Sequence, residues 1–392
     1  MFASTYKPLQ PLKAPPRSHW DDSSFFRRPD VVLVGAGLLG LWTAHALKTL
    51  APKLSITLLE QGTSPTGAST RNAGFACFGS LTEMLADEAK MGTEKMLSIL
   101  EMRYRGIEKI KATVSLDQID FEACGGFEQL TPEQAEALAD GQAMTRLNHL
   151  LADRLGLENV YVAEQRPAAS LGLRQDLPII RNPYEGVLNS GLLVEALTQA
   201  LQQKGVAFRY GFSLAQWEEN GTGVEFASAT GQTWSCGHLA FCTNGYMHQL
   251  LPQLNTQPAR GQIILTQPIP GLALKGSFHA QEGFYYWRHV GNRILLGGAR
   301  HLAFGDEATT DLSGSDFIRA ALEQFLHANV WVPQDLRIER HWSGIMGFSD
   351  NKEPLVKAMG SHTSAALACN GMGVALTPVL GETLARQILS AI

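Results

Sequence analysis

The fold is decided by the stretch Val31-Val32-Leu33-Val34-Gly35-Ala36-Gly37-Leu38-Leu39-Gly40. Its first four residues are apolar and are followed at once by glycine, which is typical of a strand buried on both faces of a sheet. Leu38–Leu50 continues with the apolar pattern of a helix, and Pro52 lies in the connection that follows. Leu54–Leu59 is a second apolar run. The sequence therefore predicts a strand, a tight glycine turn, a helix and a second, parallel strand.

The three glycines of this stretch have the spacing that a dinucleotide requires. Gly35 allows the tight turn, Gly37 leaves the backbone open to a pyrophosphate, and Gly40 lets the helix pack closely on the strand. The helix begins at Leu38 and offers free N–H groups to phosphate oxygens. Glu60, at the end of the second strand, is placed to accept hydrogen bonds from ribose hydroxyls. The motif alone leaves FAD and NAD open, but its early position and the absence of a second such motif favour FAD.

Composition excludes several classes of protein. The 392 residues carry a net charge of -5, which argues against nucleic acid as the main partner. The five cysteines are odd in number and form no C-x-x-C pair, so we expect neither a disulfide framework nor a metal site. Met1–Arg28 lacks the apolar core of a signal peptide and is expected to pack on the protein as an arm. No apolar run is long enough for a transmembrane segment, so a cytoplasmic protein is expected.

Helix and strand patterns alternate at both ends of the chain, whereas the middle is rich in strand patterns. This order predicts an α/β domain that is interrupted by a second domain. The predicted helices are Ser80–Lys111, Thr131–Leu155, Gly191–Lys204 and Asp316–His327; the predicted strands are Phe127–Leu130, Val206–Arg209, Gly223–Ala227, Leu239–Cys242, Gln262–Thr266, Phe284–Arg288 and Arg293–Leu296; and Ala365–Ile392 is predicted as strand, glycine turn and helix.

The loop Gly67-Ala68-Ser69-Thr70-Arg71-Asn72-Ala73-Gly74-Phe75 resembles one that lies beside the flavin in the D-amino-acid oxidase superfamily. More narrowly, the chain is similar to the branch of glycine oxidase, sarcosine oxidase and γ-glutamylputrescine oxidase. Further matches are Thr243–Tyr246, Pro258–Gln262 and Gly371–Gly381. The resemblance extends over roughly residues 30 to 390.

This resemblance implies an α/β (α+β overall) fold, in which an FAD-binding Rossmann domain of glutathione-reductase type carries an inserted substrate domain built on an antiparallel sheet. Residues 1–118, 184–258 and 338–392 would form the FAD-binding domain, and residues 119–183 and 259–337 the substrate domain. The implied reaction removes a hydride from the carbon next to the nitrogen of an amine or amino acid and passes it to flavin N5, giving an imine. Oxygen or another acceptor would then take the electrons from the flavin.

The resemblance also implies two sets of site residues. Arg300 and Arg71 are candidates to grip a substrate carboxylate, because a guanidinium binds one with two parallel hydrogen bonds. Tyr286 and Tyr246 are candidates for aromatic walls of the pocket. The cofactor-binding candidates are Gly35, Gly37, Leu38, Gly40, Glu60, Gln61, Ser69, Thr70, Arg71, Asn72, Ala73, Gly74, Leu214, Thr243, Asn244, Gly245, Gly371, Met372, Gly373 and Val374.

Three departures from the family pattern concern the substrate and the acceptor. Trp342-Ser343-Gly344 is followed by Ile345-Met346-Gly347, where glycine-oxidase-like members have Arg-Pro-Gly as a carboxylate clamp. The strand before Arg300 has Leu295 in the region where sarcosine-oxidase-like members use a lysine with oxygen. No cysteine or histidine matches a covalent attachment site, so FAD is expected to bind non-covalently. A polyamine-type or phosphonate-bearing amine remains an alternative substrate, and a flavin-bearing assembly protein without turnover is a third hypothesis.

Overall fold

The computed structural model describes residues 16–349, 353–367 and 370–392. The strands are β1 Val31–Val34, β2 Ile56–Glu60, β3 Phe75–Ala76, β4 Gly126–Gln129, β5 Val162–Ala163, β6 Ile179–Asn182, β7 Gly186–Val187, β8 Ala207–Tyr210, β9 Leu214–Asn220, β10 Gly223–Ser228, β11 Thr233–Cys236, β12 His238–Phe241, β13 Gln257–Thr266, β14 Ser277–Ala280, β15 Tyr285–Val290, β16 Arg293–Gly298, β17 Ile338–Phe348, β18 Leu355–Ala358 and β19 Thr363–Leu367. The helices are α1 His19–Ser23, α2 Leu38–Leu50, α3 Leu81–Met91, α4 Thr93–Thr113, α5 Pro132–Ala137, α6 Gln142–Leu155, α7 Ser190–Gln203, α8 Met247–Leu250, α9 Asp316–Asn329 and α10 Gly373–Leu389.

The first sheet has six strands in the order β18-β19-β12-β1-β2-β8. Strand β1 lies inside it and runs parallel to β12 and to β2. All four residues of β1 are buried, as a strand covered on both faces requires. The predicted strand, helix and parallel strand are therefore present, with the second strand at Ile56–Glu60 rather than Leu54–Leu59. The chain has the predicted α/β fold class.

Helix α10 is held close to two other helices by glycines. A Cβ on Gly381 would lie 2.7 Å from the backbone nitrogen of Thr43 in α2. A Cβ on Gly106 of α4 would lie 1.7 Å from the carbonyl oxygen of Ala375. Because no side chain fits at either crossing, the helix backbones touch there. These two contacts fix the direction in which the N-terminus of α10 points.

The second large sheet has eight strands in the order β17-β13-β16-β15-β14-β4-β6-β5. Most neighbouring pairs are antiparallel, with β14 and β4 parallel. Strand β17 pairs with β13 along almost its whole length, although the predicted boundary at residue 338 assigns it to the FAD-binding domain. Strand β17 thus belongs to the same sheet as β13, and the division into two domains stays a prediction. Strands β9 to β11 form a separate three-stranded sheet, and β3 pairs with β7.

Two predicted helices are each broken by a glycine. The predicted helix Ser80–Lys111 is two helices, α3 and α4, because Gly92 between them has φ +85°. The predicted helix Thr131–Leu155 is likewise α5 and α6, with Gly141 at φ +67°. Glycine adopts this left-handed conformation without the steric cost that a side chain brings. The other predicted elements are present with shifted ends, and the sequence pattern missed β14 and β17 among others.

The described part of the N-terminal arm packs on the three-stranded sheet. The Trp234 indole donates to the carbonyl of Phe26 over 2.9 Å, and the two rings meet edge to face. Residues 1–15 of the predicted arm, and Cys369, lie outside the described residues. Cys77, Cys124 and Cys236 are free thiols. In the described part of the chain, no helix combines the length and apolar character needed to cross a membrane.

A buried carboxyl group, Glu185, lies where β7 meets the start of α3. Its Oε1 accepts hydrogen bonds from the backbone N–H groups of Phe78 and Gly79, over 2.9 and 3.2 Å. Burial raises the pKa of Glu185 to about 8 in spite of these two bonds. The group is therefore a neutral carboxylic acid at neutral pH in the folded protein.

The free energy of unfolding of Glu185→Gln, compared with that of the wild type, is expected to increase as the pH rises from about 5 to 8. Between its ordinary pKa and about 8, Glu185 ionises in the unfolded chain but stays protonated in the folded one. Rising pH therefore lowers the free energy of unfolding of the wild type, by roughly 3–5 kcal/mol over this window. Glutamine does not ionise and loses this dependence. Urea unfolding at both ends of the window measures the difference.

Glu164 provides a control of opposite sign. Hydrogen bonds from the Arg166 side chain lower the pKa of Glu164 to about 2. Its ionised form stabilises the fold above its ordinary pKa, and that contribution is lost as the pH falls towards 2. Glu164→Gln should therefore destabilise the protein at neutral pH. A Glu185→Gln variant with the same pH dependence as wild type would contradict the assignment of a neutral buried acid.

Candidate active site

The glycine turn between β1 and α2 is too tight for side chains. Gly35 has φ +107°, and a Cβ there would lie 2.8 Å from the carbonyl oxygen of Cys242. A Cβ on Gly40 would lie 2.0 Å from the carbonyl oxygen of Gly35. Gly37 provides no N-cap side chain, although Oγ of Ser69 accepts a hydrogen bond from the N–H of Leu38 at the start of α2. The glycines thus let another group approach the backbone of the turn closely, as a phosphate-binding helix start requires.

Glu60 lies beside this turn at the end of β2. Its carboxylate accepts hydrogen bonds from the N–H groups of Ala36, over 3.2 Å, and Gly62, over 3.0 Å. The neighbouring Gln61 is exposed. Leu214 begins β9 and is buried, close in sequence to Phe212, whose N–H donates to the carbonyl of Glu60. The candidates for the adenosine end therefore gather at the carboxyl end of β2.

Ser69 connects the glycine turn to the loop Gly67–Phe75. Its Oγ accepts a hydrogen bond from the N–H of Leu38 over 2.9 Å. The side chain of Asn72 donates to two carbonyls of the loop and accepts from the N–H of Gly74. Thr70 donates to the carbonyl of Pro65. Asn72 and Thr70 therefore hold the loop in shape, whereas Ser69 fixes it against the helix start.

Arg71 ties the loop to the eight-stranded sheet. Its guanidinium donates to the carbonyl oxygens of Thr66, over 2.8 Å, and Ser343, over 2.9 Å. In return, the Trp342 indole donates to the carbonyl of Arg71 over 3.1 Å. These bonds use part of the guanidinium, so the role of Arg71 includes holding the loop on β17.

Arg288 is a buried residue that the sequence analysis did not single out. Its Nη1 donates to the carbonyls of Gly74, over 2.9 Å, and Leu188, over 2.8 Å, and to that of Ala73 at 3.3 Å. Burial lowers the pKa of Arg288, and its hydrogen bonds go to neutral carbonyls in the described structure. Arg288 thus fixes the end of the loop from the side opposite to Ser69. The only sequence feature that pointed to Arg288 was its place in a predicted strand, just before the turn that joins β15 to β16.

The turn Thr243–Tyr246 follows β12 and packs on β17. A Cβ on Gly245 would lie 2.8 Å from Cγ2 of Ile345. Asn244 has φ +44°, and its Oδ1 is buried with no hydrogen-bond partner among the described residues. A bound group is one way in which such an acceptor finds a donor.

A cavity of about 440 Å³ opens between the loop Gly67–Phe75, the N-terminus of α10 and the eight-stranded sheet. Its predicted lining residues are Arg71, Asn72, Ala73, Gly74, Gly371, Met372, Val374, Tyr286 and Arg300. Tyr246, the last residue of the turn, is not among the residues that line this cavity. Gly373 begins α10, and the remaining cofactor candidates lie in or near the glycine turn, the loop Gly67–Phe75 and the ends of β2 and β12. The candidates are therefore divided between those that line the cavity and those that lie outside its wall.

Arg300 lies in the cavity just after β16. Its guanidinium carbon is 4.8 Å from the ring centre of Phe304 and 4.5 Å from that of Phe348. Burial lowers the pKa of Arg300, although the side chain remains a cation at neutral pH. Within the described ranges it has no carboxylate partner and no hydrogen bond. The side chain of Arg300 is one of those that line the cavity.

A buried ion pair supports the segment that carries Arg300. Arg260 of β13 makes a two-point contact with Glu307, with N–O distances of 2.9 and 2.8 Å. Gln262 donates to the same carboxylate over 2.7 Å. Both charged partners are almost fully buried. The segment between β16 and α9 is therefore anchored to the sheet, which limits the motion of Arg300.

Tyr286 forms part of the cavity wall next to Arg300. Its ring lies across Gly297, where a Cβ would be 2.3 Å from Cε2 of the ring. Burial raises the pKa of Tyr286 to about 12, so the hydroxyl stays protonated. An aromatic wall of this kind excludes water from one side of the cavity.

The residues present fit FAD. Glu60, the glycine turn, Ser69 and the loop that lines the cavity follow one another in space, so an extended dinucleotide would reach from β2 into the cavity. Gly371 has φ +87°, and the nearest atom to a Cβ there would be 3.9 Å away, which leaves room at the start of α10. No side chain caps that helix start, and its free N–H groups face the cavity.

Comparison with known proteins supports the same conclusion. The family model of the FAD dependent oxidoreductases matches residues 30–387. The L-proline dehydrogenase of P. horikoshii is similar in structure, with a TM-score of 0.74 at 16% identity over 93% of this chain and 94% of that one. Glycine oxidase of Geobacillus kaustophilus has a TM-score of 0.72 at 18% identity, over 93% and 95% of the two chains.

An L-amino acid deaminase of Proteus vulgaris, with its specific insertion deleted, has a TM-score of 0.70 at 18% identity, over 93% of this chain and 90% of that one. At these identities the solved structures show a shared fold. The family model confirms the expected cofactor, FAD, and the expected enzyme class. Because that model spans most of the sequence, the chain belongs to the family of FAD dependent oxidoreductases.

Proposed function

We propose that the enzyme oxidises the C–N bond of an amino acid, a substrate with an amine and a carboxylate, to an imine. FAD, when bound, supplies the acceptor for the hydride. The observation that carries this proposal is Arg300, a cation in the cavity wall that makes no ion pair or hydrogen bond in the described structure, since the carboxylate that acts on it, Glu307, is bonded to Arg260.

A partly buried guanidinium without a counter-ion favours an anionic ligand. Removing a charge from water is costly unless a partner of opposite sign compensates for it. A carboxylate matches the fork of the guanidinium and binds it with two hydrogen bonds. The flanking rings of Phe304 and Phe348 restrict the side chain, so less conformational entropy is lost on binding. Arg300 would thus bind the substrate carboxylate in place of the Arg-Pro-Gly clamp that glycine-oxidase-like members have and this sequence lacks.

The other cavity residues would orient the substrate and exclude water. Tyr286 supplies apolar surface on the sheet side, and Phe75, at the end of the loop, contacts its ring edge to face. Arg71 and the loop supply the opposite wall, and their bonds to β17 keep the two walls at a fixed separation. Holding a C–H bond in a fixed position next to the cofactor is the main task of the protein in such a reaction.

A phosphonate-bearing amine is the second candidate, because a guanidinium binds a phosphonate as well as a carboxylate. A polyamine is less compatible with this cavity, since a second ammonium would meet the charge of Arg300. A flavin-bearing assembly protein would have no need of a positioned cation in a cavity beside the loop.

Anaerobic flavin reduction tests these candidates. The purified protein with FAD is mixed with amino acids of both chiralities, the amines that lack their carboxylate, aminophosphonates and diamines, and the flavin absorbance is followed. We expect reduction by amino acids and little by the corresponding simple amines. Reduction by diamines alone, or by no compound in the panel, would contradict the proposal. Reoxidation by oxygen and by an artificial acceptor is then compared, because Leu295 stands in the region of the lysine that assists oxygen in relatives.

A further inference from the structure

His279 of β14 lines the same cavity and has no role in the proposal above. The sequence pattern gave no sign of it, since the strand Ser277–Ala280 was not predicted. Its side chain is only 9% exposed. A polar ring so deeply buried in a cavity wall needs a hydrogen-bond partner.

The position of His279 is set by the sheet. It lies directly opposite Tyr286 on the neighbouring strand, and opposite residues of paired strands project to the same face. The rings of His279 and Phe75 contact each other edge to face, with their centres 5.1 Å apart. Phe75 also contacts Tyr286 in this way, at 5.9 Å. The imidazole is therefore held in the wall that faces the loop.

One ring nitrogen of His279 lacks a partner. Nε2 is buried and makes no hydrogen bond with any described residue. Burial lowers the pKa of His279 to about 4, so the ring is neutral at physiological pH. A neutral imidazole carries one acceptor nitrogen and one donor nitrogen.

Most other polar side chains of the cavity are donors or are already paired. Of its two carboxylates, Glu83 is bonded to Arg103 and Glu282 is exposed. Arg71, Arg300 and Lys90 are cations and only donate. The amide oxygen of Asn72 already accepts from Gly74, and that of Asn370 accepts from Ser349. An amino group bound in this cavity would find few free buried acceptors for its N–H.

We propose that His279 accepts a hydrogen bond from the N–H of the substrate amine, which makes the enzyme selective for primary and secondary amines over tertiary ones. This inference rests on the proposed function. Arg300 would hold the carboxylate and His279 the nitrogen, so that two polar contacts orient the carbon between them. A tertiary amine in its neutral form has no N–H and leaves the nitrogen of His279 without a partner.

The first test uses the wild-type enzyme with FAD and matched series of probes. Alanine, N-methylalanine and N,N-dimethylalanine form one series, and proline and N-methylproline form another. Stopped-flow flavin reduction under anaerobic conditions gives the limiting rate and the dissociation constant for each compound. We expect the tertiary member of a series to be at least about tenfold less efficient than its primary or secondary member, as expected for a lost buried hydrogen bond. Equal efficiency would overturn the proposal.

The second test separates hydrogen bonding from the bulk of the added methyl group. His279→Leu keeps an apolar side chain of similar reach but has no acceptor, whereas His279→Gln offers an amide oxygen. In His279→Leu we expect about a tenfold loss for secondary amines, unchanged FAD content and similar efficiencies for secondary and tertiary amines. His279→Gln should recover most of the selectivity.

The results distinguish this inference from the proposed function. Selectivity that persists in His279→Leu would overturn the role of His279 while amino-acid oxidation stands. Flavin that no compound reduces would overturn the proposed function, and this inference with it. If His279→Leu fails to fold, the wild-type series and His279→Gln still decide the question.

Discussion

Arg300→Met should lower kcat/KM for a carboxylate-bearing substrate by about thirtyfold or more, because removing one partner of a buried charged pair costs roughly 2–5 kcal/mol. Methionine keeps the apolar stem that packs between Phe304 and Phe348, so the wall should stay closed. Arg300→Lys keeps the charge but loses the two-point contact, so an intermediate loss is expected. Steady-state kinetics on each variant, with FAD content measured in parallel, gives the values.

The carboxylate itself provides the sharpest control. The amide of the same amino acid, or the amine without its carboxylate, should be no poorer a substrate for Arg300→Met than for the wild type. Arg174→Met is a matched control, since Arg174 also lies over an aromatic ring, that of Trp331, but outside the cavity. It should retain full activity. Equal losses for the acid and its amide in Arg300→Met would show that Arg300 does not bind the carboxylate.

Gly40→Ala should abolish FAD binding and lower the melting temperature strongly. The new Cβ would lie 2.0 Å from the carbonyl oxygen of Gly35 and 3.5 Å from the side chain of Leu58. Since the obstructing oxygen belongs to the backbone of the glycine turn, α2 would have to move away from β1. Overpacking of this kind typically costs about 1–3 kcal/mol or more, and here it also displaces the helix start from the phosphates. Flavin absorbance per protein and thermal unfolding measure both effects.

Two other glycines give a graded comparison. At Gly37 the nearest atom to a new Cβ is the side-chain oxygen of Ser69, at 2.8 Å, which is able to rotate away, so Gly37→Ala should cost less. At Gly67 nothing lies within 4 Å, and its φ of -78° suits any residue, so Gly67→Ala should be tolerated. A Gly40→Ala variant with as much bound FAD as Gly67→Ala would contradict the role of the close approach.

The local part of the fold was predictable from the sequence. The strand Val31–Val34 and the helix Leu38–Leu50 have the predicted bounds, because a buried run and a glycine turn are determined by neighbouring residues. The breaks at Gly92 and Gly141 were missed, since a single glycine is also tolerated inside a helix. The order of the eight-stranded sheet depends on pairing between distant segments, which no local pattern reveals.

The candidate site was predictable only in part, for the same reason. The loop around Asn72 and the helix start after Gly371 have short local signatures. By contrast, His279 and Arg288 become neighbours of the loop only through strand pairing, and neither has a local signature. Tyr246 was expected in the pocket wall from the family resemblance, but it is not among the residues that line the cavity. Its role therefore stays a prediction without support from the cavity.

The contact of Gly381 with Trp42 and Thr43 has a consequence for how the chain folds. Helix α2 comes from the beginning of the sequence, and the helix that covers it comes from the end. Contacts between such distant segments are slow to form, because a long loop must close first. Until α10 has been synthesised, the face of α2 that α10 covers, around Trp42 and Thr43, is exposed and open to aggregation. In a nascent chain whose helix α10 is still inside the ribosome, the nucleotide-binding region around α2 is therefore incompletely folded.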